Sequence, residues 1–104
     1  MEGVNEAAHI VVLAKELEEL IPEFMANRRK DLHAMRVLLG NDDFEGLRLL
    51  GDRIKGVSGS YGLARMAAIA KTIEDSAKAG KRAALHLLVD QYQAYLDKVQ
   101  VTFE

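Results

Sequence analysis

From residue 51 to residue 62 the chain reads Gly-Asp-Arg-Ile-Lys-Gly-Val-Ser-Gly-Ser-Tyr-Gly, and the rest of the sequence is organised around this stretch. The stretch holds four of the eight glycines in a chain whose pattern is otherwise helical almost throughout. A glycine in a helix interior costs about 0.5–1 kcal/mol of stability relative to alanine. We therefore expect that the fold or a partner makes use of the missing side chains.

Helix geometry predicts which face of this stretch meets solvent. Asp52 lies about 200° from Ile54 around the helix axis, so Asp52 faces solvent if Ile54 faces the core. Gly56 and Gly59 follow Asp52 by four and seven residues and share its face. We predict a strip without bulky side chains that lets another protein approach Asp52, the alternative being that the glycines admit a neighbouring helix. The charged residues around the strip are Glu45, Arg48 and Lys55.

Apolar residues recur at helical spacing on both sides of this stretch, and short turns separate the helical segments. No pattern of paired strands is evident. The sequence thus predicts an all-α fold, an antiparallel four-helix bundle with a short additional N-terminal helix or arm. The predicted helices cover residues 15–21, 22–39, 63–79 and 81–101, with one more that begins near residue 42 and runs into the glycine stretch.

Local signals mark where these helices begin and end. Asp42 or Asp43 is suited to cap the helix that enters the stretch, because a short carboxylate accepts hydrogen bonds from free backbone amides. Gly62 is predicted to form the turn that ends this helix, and Gly80 is predicted to cap the next one. Glycine suits both positions because it adopts a positive φ without strain.

A length of 104 residues fits a single domain, which we place over residues 1–104. Residues 1–9 are predicted to form a loose arm, residues 10–13 to be partly extended against the body, and residues 102–104 to fray. The apolar run over residues 9–14 is too short to span a membrane. We expect a cytoplasmic monomer.

The composition argues against several classes of function. An apolar fraction of 49%, a charged fraction of 29% and a net charge of −2 are ordinary values that provide no general attraction to nucleic acid. The lack of cysteine excludes disulfides, thiolate metal sites and cysteine nucleophiles. We expect neither a nucleic acid nor a membrane as a partner.

The sequence contains no motif for catalysis or metal binding. His9, His33 and His86 lie on different predicted elements and lack the His-Glu-x-x-His spacing of zinc sites. His33 and His86 are interpreted as solvent-exposed residues among charged neighbours. A nucleophile elbow, a phosphate-binding loop and a dinucleotide fingerprint are all absent. We expect no metal, no cofactor and no enzymatic activity.

The glycine stretch resembles the signature of the histidine-containing phosphotransfer (HPt) domains of two-component phosphorelays. That signature reads His-x-Leu/Ile-Lys-Gly, followed by small residues and a further glycine. The matching run here is Asp-Arg-Ile-Lys-Gly over residues 52–56, followed by Val-Ser-Gly-Ser-Tyr-Gly over residues 57–62. The similarity extends over nearly the whole chain. It implies a four-helix bundle in which an exposed histidine accepts a phosphoryl group from a receiver-domain aspartate and passes it on.

The resemblance also implies roles for individual residues. Lys55 would steady the phosphoryl charge, Gly56 and Gly59 would let the receiver come close, and Asp52 stands at the position of the phosphoaccepting histidine. A carboxylate accepts a phosphoryl group when Mg²⁺ and a lysine offset its charge, and no acidic cluster adjoins Asp52 to hold the ion. We therefore expect a domain that does not carry phosphate. The predicted binding site, without an intact catalytic residue, is Asp52, Lys55, Gly56, Gly59, Arg48 and Arg53.

Three interpretations follow. In the first, the chain docks on a response-regulator receiver domain or a hybrid histidine kinase, and Asp52 either imitates phosphohistidine or repels the receiver. In the second, the chain is an active phosphotransfer protein in which Asp52 is an introduced substitution. In the third, it is a structural interaction domain with an apolar patch on residues 10–13 or around Tyr95, Val101 and Phe103. The cations that could face a receiver are Arg28, Arg29, Arg36, Arg48 and Arg53.

Overall fold

The computed structural model describes residues 9–104. The predicted loose arm lies outside this range except for its last residue, His9, which begins a strand. The predicted bundle of four long helices is confirmed. In chain order the elements are strand β1 (His9–Leu13), a 3-10 turn (Lys15–Leu17), helices α1 (Ile21–Gly40), α2 (Phe44–Ser60), α3 (Ala64–Lys78) and α4 (Arg82–Lys98), and strand β2 (Val99–Phe103).

The helix ends follow local signals in the sequence. Pro22 lies in the first turn of α1, where its missing N–H leaves no hydrogen bond unmade. Asp43, the second of the two predicted capping residues, caps α2, and its Oδ1 accepts a hydrogen bond from the Gly46 N–H at 2.9 Å. Gly62 and Gly80 follow α2 and α3 with φ values of 88° and 66°, which confirms both as the predicted turn residues.

The core lies between the four helices, and each of them contributes buried side chains. Tyr92 is fully buried, and its hydroxyl donates a hydrogen bond to the Arg28 carbonyl oxygen at 3.3 Å. Ile54 is also fully buried, and Asp52 on the same helix is therefore turned to solvent, as predicted. The other large apolar side chains that are at most 2% exposed are Met35, Leu39, Leu47, Leu63, Met66, Ile73, Leu85, Val89 and Leu96.

The first and last described segments pair as strands. The extended conformation of residues 10–13 is as predicted, whereas their pairing with the end of the chain was not predicted. β1 and β2 form a parallel two-stranded sheet whose register runs from His9 opposite Val99 to Leu13 opposite Phe103. The predicted continuation of the last helix to residue 101 and the predicted fraying after it are therefore wrong. The side chains of β2 alternate between partly buried and exposed positions, so the period of a strand prevails here over that of a helix.

The segment before α1 also differs from its prediction. The short helix predicted over residues 15–21 is confirmed only over its first three residues, where a 3-10 helix forms at Lys15–Leu17 with none of its residues buried. The Lys15 N–H donates to the Glu104 carbonyl oxygen, and the Glu104 N–H donates to the Leu13 carbonyl oxygen, both at 3.0 Å. The backbone at residue 15 is thus tied to the end of the sheet.

Helices α2 and α3 pack closely at Gly51. A Cβ atom at this position would lie 3.0 Å from the Ala70 carbonyl oxygen and 3.1 Å from the Glu74 backbone nitrogen. Both are backbone atoms, so any side chain at position 51 would push the two helices apart. Gly51 therefore admits a neighbouring helix, and this close approach brings Glu74 of α3 next to α2.

Candidate functional site

Asp52 lies on the exposed face of α2 together with two glycines that have open space around them. The Asp52 side chain is 57% exposed. Cβ atoms placed at Gly56 and Gly59 would meet no heavy atom within 4 Å, so packing of the bundle does not account for glycine at either position. We refer to Asp52, Lys55, Gly56 and Gly59 as the Asp52 strip.

Lys55 is the cation of the Asp52 strip and lies between two carboxylates. Its Nζ is 3.3 Å from Asp52 Oδ1 and donates a hydrogen bond to Glu74 Oε1 at 2.9 Å. The Glu74 side chain is only 8% exposed, and its Oε2 is 3.8 Å from the Nζ of Lys78. The bond to Glu74, followed by that to Asp52, raises the pKa of Lys55. Lys55 is therefore a charged group that Glu74 holds in place beside Asp52.

The two arginines predicted to flank Asp52 are each bound to a carboxylate. Arg48 donates to both oxygens of Glu45, from Nε at 2.9 Å and from Nη2 at 2.6 Å. This interaction lowers the pKa of Glu45 and raises that of Arg48. Arg53 Nη2 donates to Asp31 Oδ1 at 3.0 Å. The surface around Asp52 thus carries much less excess positive charge than the sequence suggests.

The remaining arginines that were candidates for a receiver surface are engaged within the bundle. Arg28 is buried, and its Nε donates to Asp31 Oδ2 at 2.8 Å. Arg29 and Arg36 of α1 pair with carboxylates of α4 at 3.1 and 3.2 Å. Arg29 and Arg36 thus link α1 to α4, whereas Arg28 shares the carboxylate of Asp31 with Arg53.

Two exposed apolar residues were missed in the sequence, and one of them shares the face of Asp52. Leu49 precedes Asp52 by three residues on α2 and is 55% exposed, and Leu20, directly before α1, is 50% exposed. Residues three apart on a helix share a face, so the geometry that placed Gly56 beside Asp52 also identifies Leu49. Both leucines leave apolar surface exposed to solvent.

A groove lies between α1 and the end of α2, and Val57, the residue after Gly56, forms part of its lining. One wall contains Phe24 stacked on Tyr61, with ring centroids 4.5 Å apart. The groove was not predictable from periodicity, because it is formed by the ends of two separate helices. Its lining residues are Leu20, Glu23, Phe24, Asn27, Arg28, Val57 and Tyr61.

Histidines and acidic residues do not assemble into a metal site in the part of the chain that the structure describes. Residues 9–104 contain no group of three or more His, Asp or Glu side chains that could hold an ion. His33 and His86 are both exposed, in agreement with their interpretation as solvent-facing residues. No helix within residues 9–104 has the length and apolar character needed to cross a membrane.

Comparison with protein families identifies the chain. The family model described as Hpt domain matches residues 19–102, a range that contains all four helices and the Asp52 strip. Comparison with curated proteins and with solved structures gave no significant match. Hpt domains are phosphotransfer carriers of two-component signalling systems rather than conventional enzymes, and in general they interact with receiver domains and kinases. Since the match covers most of its length, the chain belongs to the Hpt domain family.

Proposed function

We propose that this chain docks on the receiver domains of response regulators through the Asp52 strip, and that it does so without carrying a phosphoryl group. The observation that supports docking is the open space at Gly56 and Gly59 beside an exposed carboxylate. Each of these glycines costs helix stability, and packing within the bundle does not compensate for it. The backbone of a receiver approaching the strip would occupy that space.

The proposal that no phosphate is carried rests on the chemistry of Asp52. In phosphotransfer to a histidine, an imidazole nitrogen attacks phosphorus, an N–P bond forms, and the bond from phosphorus to the aspartate oxygen of the receiver breaks. We infer that Asp52 stands in the place of that imidazole, because residues 52–56 correspond to the family signature. A carboxylate is an anion, so it is repelled by the phosphoryl oxygens that it would have to approach.

The surroundings of Asp52 do not offset this repulsion. Lys55 is shared between Asp52 and the buried Glu74, so its charge is already compensated. A carboxylate that accepts phosphate also needs a bound Mg²⁺, and residues 9–104 offer no cluster of three acidic or histidine side chains to hold one. The docking surface is thus retained while the accepting group is changed.

The apolar and charged groups around the Asp52 strip indicate which interactions would stabilise a complex with a receiver domain. Apolar surface is provided by Leu49, by Leu20 and by the groove between α1 and α2. Arg48 and Arg53, in contrast, are paired with carboxylates. Paired surface charges attract a partner weakly and are screened by salt. We expect the affinity for a receiver to depend more on apolar contact than on ionic strength.

A titration followed by nuclear magnetic resonance tests the docking proposal. The nitrogen-15-labelled chain is mixed with unlabelled receiver domains from the same organism, and amide shifts are expected to centre on Leu49 and the Asp52 strip. Shifts confined to another face of the bundle, with every receiver that binds, would refute the proposal.

Two matched variants sharpen this test. Gly59→Arg and Gly40→Arg add the same side chain at glycines whose Cβ positions have no neighbour within 4 Å, but only Gly59 belongs to the Asp52 strip. We expect Gly59→Arg to weaken receiver binding by at least about tenfold, because the added side chain blocks close approach. Gly40→Arg is expected to leave binding unchanged. An equal loss in both variants would mean that added charge or bulk at any site is sufficient.

A further inference from the structure

A cleft lies between α3 and α4, separate from the groove between α1 and α2. None of the residues that form it belongs to the Asp52 strip. It is lined by Arg65 and Ile69 of α3, by Gln91, Tyr95 and Lys98 of α4, and by His9 at the start of β1. The cleft has a volume of about 200 Å³, below the roughly 300–1,000 Å³ of pockets for drug-sized ligands. Its occupant is therefore expected to be a small molecule.

The two cations of this cleft form no ion pair with a carboxylate among residues 9–104, unlike most other cations of the protein. Of the 14 lysines and arginines, ten form an ion pair with a carboxylate among residues 9–104. Arg65 and Lys98 do not, so two charges without a carboxylate partner in the described part of the chain meet in one cleft. The other two cations without such a partner there are Lys30 and Lys81.

Tyr95 provides a second, independent observation. The residue is only 7% exposed, and its buried hydroxyl has no hydrogen-bond partner among residues 9–104. Buried polar groups are nearly always hydrogen-bonded, because an unmade bond is costly. Burial raises the pKa of Tyr95, while the charge of Arg65 acts in the opposite direction. Tyr95, with its unused O–H donor, and Arg65 thus line the same cleft.

We propose that this cleft binds a small organic anion, a carboxylate or a phosphate monoester. Arg65 and Lys98 neutralise the anionic oxygens, and the Tyr95 hydroxyl donates a hydrogen bond to one of them. Ile69 contacts the carbon skeleton of the ligand, and the ring of His9, whose centroid is 5.2 Å from that of Tyr95, bounds the other side. Gln91 offers an amide that can donate or accept as the ligand requires.

In the test, the full-length chain is titrated with phenyl phosphate, benzoate and inorganic phosphate in separate experiments. Amide chemical shifts are recorded by nuclear magnetic resonance. The two organic anions are expected to saturate with shifts centred on the cleft, and inorganic phosphate is expected to bind more weakly because it lacks the carbon skeleton. Preference for phenyl phosphate or for benzoate identifies the class of anion. An absence of saturation for both organic anions, or shifts spread equally to Lys30 and Lys81, would overturn the proposal.

Four variants test whether anion binding is specific to the cleft or results from surface charge in general. Arg65→Ala and Lys98→Ala are each expected to weaken binding of the preferred anion by about tenfold, and Tyr95→Phe by a smaller factor, since it removes one hydrogen bond. Lys81→Ala removes a comparable cation outside the cleft and is expected to have no effect. Arg65 and Lys98 are exposed, so both variants are expected to fold. A loss in Lys81→Ala equal to that in Arg65→Ala would contradict a specific site.

Discussion

The two faces of α2 use glycine for opposite purposes. On the buried face, Gly51 lets the backbone of α3 come within 3.0 Å of where a Cβ atom would be, whereas on the exposed face Gly56 and Gly59 have no neighbour within 4 Å. Helix propensity assigns the same cost to all three. A glycine with such a cost thus serves either a neighbouring helix inside the fold or, as we propose for Gly56 and Gly59, a partner outside it. Only the second case marks a functional surface.

Asp52→His is the variant expected to have the largest effect, and it alters the exposed face alone. An imidazole at position 52 is expected to accept phosphate from a phosphorylated receiver that binds the Asp52 strip, whereas the present chain is expected to accept none. Gel separation of the phosphorylated form, followed by acid treatment to release an N-linked phosphate, measures the uptake. Asp52→Asn serves as the control. Uptake by the present chain equal to that of Asp52→His would refute the proposed loss of phosphotransfer.

Gly51→Ala tests the buried face. The added methyl group meets backbone atoms of α3 at 3.0–3.1 Å, so the helices must separate, and we expect the free energy of unfolding to fall by about 1–3 kcal/mol. Urea denaturation followed by circular dichroism measures this change. An unchanged midpoint would show that α2 and α3 separate easily, and the structural role assigned to Gly51 would then be wrong.

Glu74→Gln tests the connection between the two faces, because Glu74 holds Lys55. The variant is expected to lower the pKa of Lys55 by more than Asp52→Asn does, since the bond to Glu74 is the larger cause of its raised value. Nitrogen-15 spectra of the lysine side chain, recorded against pH, measure both changes. Glu45→Gln is the matched control, because Glu45 binds Arg48 instead. A larger effect from Asp52→Asn would contradict this order.

The raised pKa of Lys55 also fixes the sign of a pH effect. A lysine whose pKa rises on folding stabilises the protein below the ordinary value of 10.5, and this stabilisation is lost as the pH rises through the raised value. Glu74→Gln is therefore expected to make stability less sensitive to pH above 10.5. Denaturation midpoints compared at pH 9 and pH 11 test this expectation, and an unchanged dependence would contradict it.

Gly56→Ala is expected to have the smallest effect on stability, with a sign opposite to that of Gly51→Ala. The position lies inside α2 with open space around it, so alanine is expected to raise the free energy of unfolding by about 0.5–1 kcal/mol. The same denaturation experiment measures it. A loss of stability would show that the bundle uses this glycine, and the main argument for a docking surface would fail.

Much of the bundle was predictable because its helices carry long apolar stripes and their ends carry local signals such as Asp43 and Gly62. The strand pair was not predictable in the same way. β1 and β2 are five residues long each and lie at opposite ends of the chain, and the apolar residues of β2 also fit the helix before them. Such pairing depends on long-range packing, about which the local pattern contains no information.

The candidate site shows the same division between local and long-range information. The exposure of Asp52, Gly56 and Gly59 followed from the spacing along one helix. The pairing of Arg53 with Asp31 and of Lys55 with Glu74 did not, because these two carboxylates belong to other helices. The charge of the surface around Asp52 was therefore overestimated, although its cations Arg48, Arg53 and Lys55 had been identified.

The parallel register of β1 and β2 has a mechanical consequence. Both strands run in the same direction, with His9 opposite Val99 and Leu13 opposite Phe103. A force that pulls residues 9 and 104 apart therefore slides one strand along the other, and the hydrogen bonds between the strands bear the load together instead of opening one after another. The short sheet thus acts as a clamp between the two ends of the bundle under tension.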